Sequence, residues 1–238
     1  MLFFYIRHGD PIYDPDQLTP LGHRQAEAVA KRLALYGIDK IYASTSNRAI
    51  QTAQPTCEIL KKEMTQLDFA NEHYAWRDFS SVDENGDQRW LFLQQKYIRL
   101  FTEPSMRELG LRWYEHPDLR DQHFEVGMER IRRESDAFFA SHGYEKVEGC
   151  GLYKITHPNN DRIAMFAHGG FGLLFLSHIL SIPYPEFCTH FDMAHSCMTV
   201  INFAETNGYA VPKILTYSSD SHLYRDGLPT NYNNVLRF

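Results

Sequence analysis

Apolar residues along this 238-residue chain form short continuous runs that alternate with stretches of helical periodicity. The run at residues 2–6 is typical of a strand that is buried on both faces. Thr19 as N-cap and Pro20 at the first helical position then predict a helix that ends at Gly37. A second strand is expected at residues 38–43, immediately after that helix.

The same alternation continues through the next part of the chain. Ser46 can cap a helix over residues 47–62, in which Pro55 predicts either a kink or a late start. A short strand is expected near residues 66–69. Strands that alternate with helices in this way predict a three-layer α/β/α sandwich with a mostly parallel central sheet.

The pattern changes at residues 77–150, which are rich in charged and aromatic residues and alternate only weakly. Helices are predicted within it at residues 89–101 and 128–139. Because this stretch is far too long for an ordinary connection, it is interpreted as a helical cap inserted into one domain that spans residues 1–238.

Regular patterning returns after residue 150. Turn-forming residues separate two predicted strands, and an Asn-Gly pair separates two more. The predicted elements are strands at 151–156 and 163–167 joined by a turn at 158–161, an apolar helix at 170–180, and strands at 198–203 and 211–217 around Asn207 and Gly208.

Basic and imidazole side chains follow the predicted strands at the points where those strands end. Arg7 and His8 come after the first strand, Arg48 follows the second, and His168 with Gly169 follows a later one. In α/β folds, ligands bind at the carboxyl ends of parallel strands. These side chains are therefore expected to meet at one edge of the sheet.

Two guanidiniums and two imidazoles in one place suit the chemistry of a phosphoryl group. Each guanidinium fork can bond two oxygens and keeps its charge, so Arg7 and Arg48 are predicted to bind phosphate. A neutral imidazole can attack phosphorus, and His8 is predicted to be this nucleophile. His168 is expected to carry a proton and to donate to the phosphoryl oxygens.

Such a reaction also requires an acid that protonates the departing alkoxide. Glu72, just after the third predicted strand, is the best-placed candidate. Spacing alone leaves Asp10, Asp78, Asp83 and Glu84 as alternatives.

Composition narrows the class of protein further. The formal net charge is −6 and the pI is near 6.0, which disfavours a general nucleic-acid binder, because such proteins are usually basic. A small phosphorylated substrate is compatible with a local positive pocket on an acidic body. The four cysteines lack any C-x-x-C pair, so buried free thiols in a reducing compartment are expected.

No cofactor, metal or membrane partner is indicated by the sequence. An H-E-x-x-H motif and zinc-like Cys/His spacing are lacking, and His190 and His195 are five residues apart, a poor spacing for one helix face. No apolar run approaches the length of a membrane span, and the opening run is too short for a signal peptide. A cytoplasmic location is therefore expected, and the oligomeric state is not indicated.

Four motifs occur in order along the chain: Arg7-His8-Gly9, Leu18 to Gly22, Tyr42 to Ser44 with Arg48, and Ala167-His168-Gly169. In this order they resemble the histidine phosphatase superfamily, the group that includes phosphoglycerate mutase. The resemblance covers residues 1–76 and 151–217 and implies that His8 is the residue that becomes phosphorylated. It also implies that Arg7, Arg48 and His168 complete the phosphate pocket and that an acid near Glu72 donates the proton.

The complete set of residues that we predict to bind phosphate is Arg7, His8, Arg48, His168, Gly169 and Asp14.

Several departures from the mutase pattern favour a phosphatase. Mutases of the group usually carry Glu-Ser after Arg-His-Gly and then Trp-Asn, where this chain has Asp10-Pro11 and Tyr13-Asp14. A mutase or phosphotransferase with the same pocket, and a phospho-ligand-binding module without turnover, remain as alternatives.

The sequence leaves open the roles of two further groups of residues. Five aromatic residues either stack on the substrate or form the core of the cap: Trp76, Trp90, Tyr97, Trp113 and Tyr114. Two arginines, Arg225 and Arg237, either reach a second phosphate or are solvated.

Overall fold

A computed structural model describes residues 1–232 of the chain, so Arg237 lies outside the described residues. Short strands and helices alternate over most of it. The strands are β1 (Leu2–Arg7), β2 (Pro11–Ile12), β3 (Gln17–Leu18), β4 (Lys40–Ser44), β5 (Met64–Leu67), β6 (Ser80–Val82), β7 (Gln88–Trp90), β8 (Tyr144–Lys146), β9 (Tyr153–Ile155), β10 (Arg162–Ala167), β11 (Met198–Thr206) and β12 (Tyr209–Ser219). The helices are α1 (Pro20–Tyr36), α2 (Asn47–Leu60), α3 (Glu72–Phe79), α4 (Gln95–Phe101), α5 (Pro104–Leu109), α6 (Phe124–Ser141), α7 (Gly169–Leu180), α8 (Tyr184–His190) and α9 (Ser221–Arg225).

The central sheet has eight strands in the order β5-β4-β10-β1-β11-β12-β9-β8. The first four pair in parallel, and the remaining pairings are antiparallel. Only β11 and β9 therefore run against the other strands of this sheet. The predicted α/β class with a mostly parallel central sheet is confirmed.

Both faces of the sheet are covered, as the uninterrupted apolar run of β1 predicts. Phe3 and Tyr5 pack into a core on the side of α6 and α7, whereas Phe4 and Ile6 pack into a second core on the side of α1 and α2. This division follows from the alternation of side chains along a strand. The sheet is thus the middle layer of three.

Local sequence signals correctly predict the two ends of α1 and the N-cap position of α2, but not the effect of Pro55. The Thr19 hydroxyl accepts a hydrogen bond from the Gly22 N–H at 3.0 Å, and Gly37 ends α1 with a φ of 69°. Ser46 occupies the N-cap position of α2, although its side chain makes no capping bond. The late start predicted from Pro55 is wrong, because α2 begins at Asn47 and includes that proline.

The strands after residue 150 exist as predicted, but their partners were not all foreseeable. β9 and β10 are consecutive, yet β9 pairs with β12 while β10 lies between β1 and β4. β11 and β12 form the predicted hairpin, whose Asn207 and Gly208 both have positive φ values, of 53° and 78°. Among the helices of residues 1–232, none combines the length and the apolar character that crossing a bilayer requires.

The stretch at residues 77–150 is more varied than a purely helical cap. It opens with the hairpin β6–β7, so the predicted helix at 89–101 begins only at Gln95, whereas the helix predicted at 128–139 is present within α6. Its buried side chains Trp113 and Phe139 belong to the same apolar core as Phe3 of the central sheet. This stretch therefore packs directly on the sheet layer.

Gly127 of α6 sits where that helix touches α3. A Cβ at this position would lie 2.7 Å from the Phe79 ring and 2.8 Å from the Asp78 Cβ. We expect Gly127→Ala to destabilise the protein by about 1–2 kcal/mol, because overpacking outweighs the helix propensity that alanine adds. Urea unfolding measures this, with exposed Val126→Ala as the matched control on the same helix. Equal or greater stability of Gly127→Ala would show that α3 and α6 are not in this close contact.

Candidate active site

The arginine and histidine side chains that the sequence predicts to bind phosphate lie together at one edge of the sheet. Arg7 is the last residue of β1, and His8 follows it; Arg48 is the second residue of α2; His168 follows β10 directly and caps α7. The ring centroids of His8 and His168 are 5.2 Å apart. The predicted convergence at the carboxyl ends of parallel strands is thus present in the structure.

His8 is a buried imidazole whose hydrogen bonding indicates its tautomer. Its Nδ1 lies 2.7 Å from the Gly9 carbonyl oxygen, which can only accept, so Nδ1 carries the hydrogen and Nε2 keeps its lone pair. Burial lowers the pKa of His8 well below its usual value, and His168, Arg7 and Arg48 lower this pKa further. The ring is therefore neutral near pH 7, as a nitrogen nucleophile requires.

The Arg7 guanidinium contacts a backbone carbonyl and an imidazole ring. Its guanidinium donates to the Met193 carbonyl through Nη1, and its Nη2 lies 2.7 Å from His195 Nε2. Burial, followed by the nearby Arg7 and Arg48 charges, lowers the pKa of His195 to about 3. His195 is thus a neutral acceptor for Arg7, and its Nδ1 points toward Asp10 at 3.7 Å.

Sequence reasoning missed this role of His195 and weighed the residue only as a metal ligand beside His190. The two are separated in the structure, where His190 ends α8 and is exposed. His195 reaches the site because β11 runs antiparallel to β1, with Met198 opposite Ile6. The residues before β11 therefore lie beside those that follow β1.

Arg48 is held by a carboxylate and faces a second one. Its Nη1 bonds Asp16 Oδ1 at 2.7 Å, and its Nη2 lies 3.5 Å from Glu72 Oε2. The other Asp16 oxygen accepts from the Asn47 N–H at 2.8 Å, so Asp16 also caps α2. Asp14, which is predicted to bind phosphate, is exposed on the same loop. Asp16 is the carboxylate that orients Arg48.

His168 is fixed through both its ring and its backbone. Its Nε2 lies 2.8 Å from Ser44 Oγ, while the Tyr5 hydroxyl donates to its carbonyl at 2.6 Å. Burial lowers the pKa of His168 well below its usual value, and Arg48 and Arg7 add to this. These surroundings oppose the protonated state expected from the sequence, since they disfavour a further positive charge.

Glu72 begins α3 and reaches the start of α7. Its Oε1 accepts from the N–H groups of Gly170 and Phe171 at 2.8 and 3.2 Å, while its Oε2 lies 3.5 Å from both Arg48 Nη2 and His168 Nδ1. Burial raises the pKa of Glu72, and the two arginines offset part of this rise. A buried carboxyl with raised pKa, one oxygen anchored and the other facing the histidines, is suited to donate a proton.

The competing acids are engaged elsewhere or lie at another side of the site. Asp78 pairs with Arg130 at 3.0 Å, and Asp83 folds its own turn by accepting from Asn85 N–H at 2.8 Å. Glu84 is exposed. Asp10 accepts from the Thr19 hydroxyl at 2.7 Å and faces His195.

One atom each from His8, Glu72 and His168 lies within 4.8 Å of the others, a spacing that could hold a metal ion. The charges around them oppose this, because Arg48 Nη2 lies 3.5 Å from the same Glu72 carboxylate. The charge of Arg7 also acts on both histidines, because it adds to burial in lowering the pKa values of His8 and His168. Two fixed cations favour an anion at this point rather than a metal.

Comparison with known proteins shows what the chain is similar to. Residues 4–96 match the model of the histidine phosphatase superfamily, branch 1. This first part of the chain is thus similar to that superfamily. A search of curated protein sequences found no match.

Solved structures extend the likeness to most of the chain. A phosphoserine phosphatase from Entamoeba histolytica aligns with a TM-score of 0.59 at 17% identity, covering 93% of this chain and 98% of that one. A mycobacterial glucosyl-3-phosphoglycerate phosphatase aligns with a TM-score of 0.58 at 16% identity, covering 92% and 98%. At this identity the likeness establishes a shared fold.

His195→Leu tests whether His195 holds Arg7 in place for an anion. Losing a hydrogen bond to a charged group should weaken binding of inorganic phosphate about tenfold or more. Calorimetric titration measures the affinity, and thermal unfolding checks that the variant is folded. His190→Leu, at the exposed histidine, is the matched control. Unchanged phosphate affinity in His195→Leu would remove His195 from the site.

Proposed function

We propose that this protein is a metal-independent phosphatase that hydrolyses a small phosphate monoester through a phosphohistidine intermediate on His8. The observation that carries this proposal is the contact of His8 Nδ1 with the Gly9 carbonyl oxygen at 2.7 Å, which leaves Nε2 with its lone pair for attack, in a site where Arg7 and Arg48 both act on this ring. The superfamily match supports it, as do two structural neighbours described as phosphatases of phosphoserine and of glucosyl-3-phosphoglycerate.

In the first step His8 Nε2 attacks phosphorus and forms the N–P bond, while the bond from phosphorus to the ester oxygen breaks. The leaving oxygen takes that electron pair and receives a proton from Glu72. In the second step the Glu72 carboxylate takes a proton from water, whose oxygen attacks phosphorus. The N–P bond then breaks, inorganic phosphate leaves, and His8 is neutral again.

Charge stabilisation comes from groups that are already in place. Arg7 and Arg48 present guanidinium N–H groups to the phosphoryl oxygens, whereas the Gly170 and Phe171 N–H groups at the start of α7 hold Glu72. A phosphoryl dianion favours protonated His168, against the effect of burial on the pKa of that ring. Because Glu72 Oε1 accepts two backbone N–H groups, Oε2 is the oxygen that carries the proton.

His8→Ala should abolish turnover and the covalent intermediate, because the attacking nitrogen is lost. Acid-quenched reactions with a ³²P-labelled monoester should give an acid-labile phosphoenzyme in the wild type only. His23→Ala, at an exposed histidine of α1, should retain both signals, and a chelator should not change the rate. Full activity in His8→Ala would refute the mechanism. Label transferred to an organic acceptor instead of released phosphate would identify a mutase.

The protonated form of Glu72 is required in the first step, so its raised pKa predicts an alkaline limb. The single-turnover rate of phosphoenzyme formation from an alkyl phosphate should fall as pH rises through this pKa. With 4-nitrophenyl phosphate, whose leaving group needs no proton, the limb should be absent. Glu72→Gln should slow the alkyl ester about 100-fold or more and the nitrophenyl ester far less. Asp78→Asn is the control, and equal effects on both esters would exclude Glu72 as the acid.

A further inference from the structure

The site opens into a cavity of about 700 Å³, within the range of small-molecule sites and larger than a phosphoryl group requires. Arg48 and Glu72 form the part of its lining that belongs to the phosphate site. Trp76, Trp90 and Tyr13 also line it. The space beyond the phosphate is therefore available to the leaving alcohol of the substrate.

Two tryptophans form a fixed aromatic wall of this cavity. Trp76 and Trp90 meet edge to face, with ring centroids 4.9 Å apart and an angle of 83°, and Trp90 stacks on Phe92 at 5.5 Å. Trp76 lies four residues after Glu72 on α3, so both face the same side of that helix. A Cβ on Gly170 would lie 2.4 Å from the Trp90 ring, which shows how closely this indole approaches the start of α7.

The aromatic residues at the cavity differ in burial from those of the core. Trp76 and Trp90 remain partly exposed, whereas Trp113 and Tyr97 are 0% and 4% exposed and belong to the apolar core. The two alternatives left open by the sequence therefore apply to different residues. Trp76 and Trp90 can stack on a ligand, whereas Trp113 and Tyr97 cannot, because they are buried in the core. Tyr114 does not line this cavity.

The charges around the cavity do not suit a second anion on the substrate. Of the described residues that line it, Arg48 is the single lysine or arginine, and it already faces the carboxylates of Asp16 and Glu72. A cationic substrate group is not favoured either, because both Asp16 oxygens are engaged by Arg48 and Asn47. Arg225, for which the sequence left open a contact with a second phosphate, lies on α9 and does not line the cavity.

We infer that the phosphate ester accepted here carries an uncharged aromatic group on its alcohol, which packs against Trp76 and Trp90. This inference rests on the proposed function for the position of the phosphate. It separates this chain from relatives whose named substrates, phosphoserine and glucosyl-3-phosphoglycerate, carry a carboxylate as well as the phosphate.

The test compares esters whose leaving alcohols are all alkanols, so that the basicity of the leaving group varies little. We expect kcat/KM for 2-phenylethyl phosphate to exceed that for ethyl phosphate and for phosphoserine by about tenfold or more. Binding of the same three esters to His8→Ala, measured by calorimetry, gives the preference without turnover. A ratio near one, or a preference for phosphoserine, in these affinities would overturn the inference.

Two variants and a control locate the preference. Trp76→Leu should reduce the phenylethyl-to-ethyl ratio several-fold, whereas Tyr224→Leu, at an aromatic residue that is 89% exposed on α9, should not. His73→Lys, at an exposed residue lining the cavity, should raise phosphoserine relative to 2-phenylethyl phosphate, because it supplies the missing cation. An unchanged ratio in Trp76→Leu would overturn the assignment of the aromatic wall.

Failure of this inference is distinguishable from failure of the proposed function. If the wild type hydrolyses the esters without preference for the aromatic one, the inference is wrong and the proposed function stands. If it hydrolyses none of them, the proposed function fails, and the affinities of His8→Ala still decide whether the cavity selects an aromatic group.

Discussion

The whole site depends on keeping two guanidiniums in a largely buried place beside two imidazoles. A buried charge is costly unless hydrogen bonds replace its lost water. Arg7 donates to the Met193 carbonyl and contacts the His195 ring, whereas Arg48 is oriented by the Asp16 carboxylate. Burial and then the two arginines lower the pKa values of His8 and His168. The same positive charges favour an anion at this place.

Much of this arrangement follows from short-range signals in the sequence. The apolar run of β1, the Thr19 cap and the Gly37 stop are local features, and each has a direct physical cause. Since parallel strands end at the same edge of a sheet, the positions of His8 and His168 relative to those strand ends were sufficient to predict that they meet.

The features that sequence reasoning missed depend on contacts between distant parts of the chain. Nothing near His195 indicates that β11 will run antiparallel to β1, and only that pairing brings its ring to Arg7. The contact between Asp16 and Arg48 depends on the path of the loop before β3, which no periodic pattern describes. The partner of β9 is likewise set by the packing of the sheet and not by the next strand along the chain.

The role of each strand and helix at the site follows from the residues that it carries. In the proposed function, the ends of β1 and β10 and the start of α2 supply the groups that bind phosphate. Helix α3 carries both Glu72 and, one turn later, Trp76, so one helix positions the proposed acid and part of the aromatic wall. The N–H groups at the start of α7 fix Glu72, and Trp90 packs against the same place, so α3 and β7 both contact the start of α7. In the proposed reaction, a leaving group that fits the wall therefore lies beside the carboxyl group that protonates it.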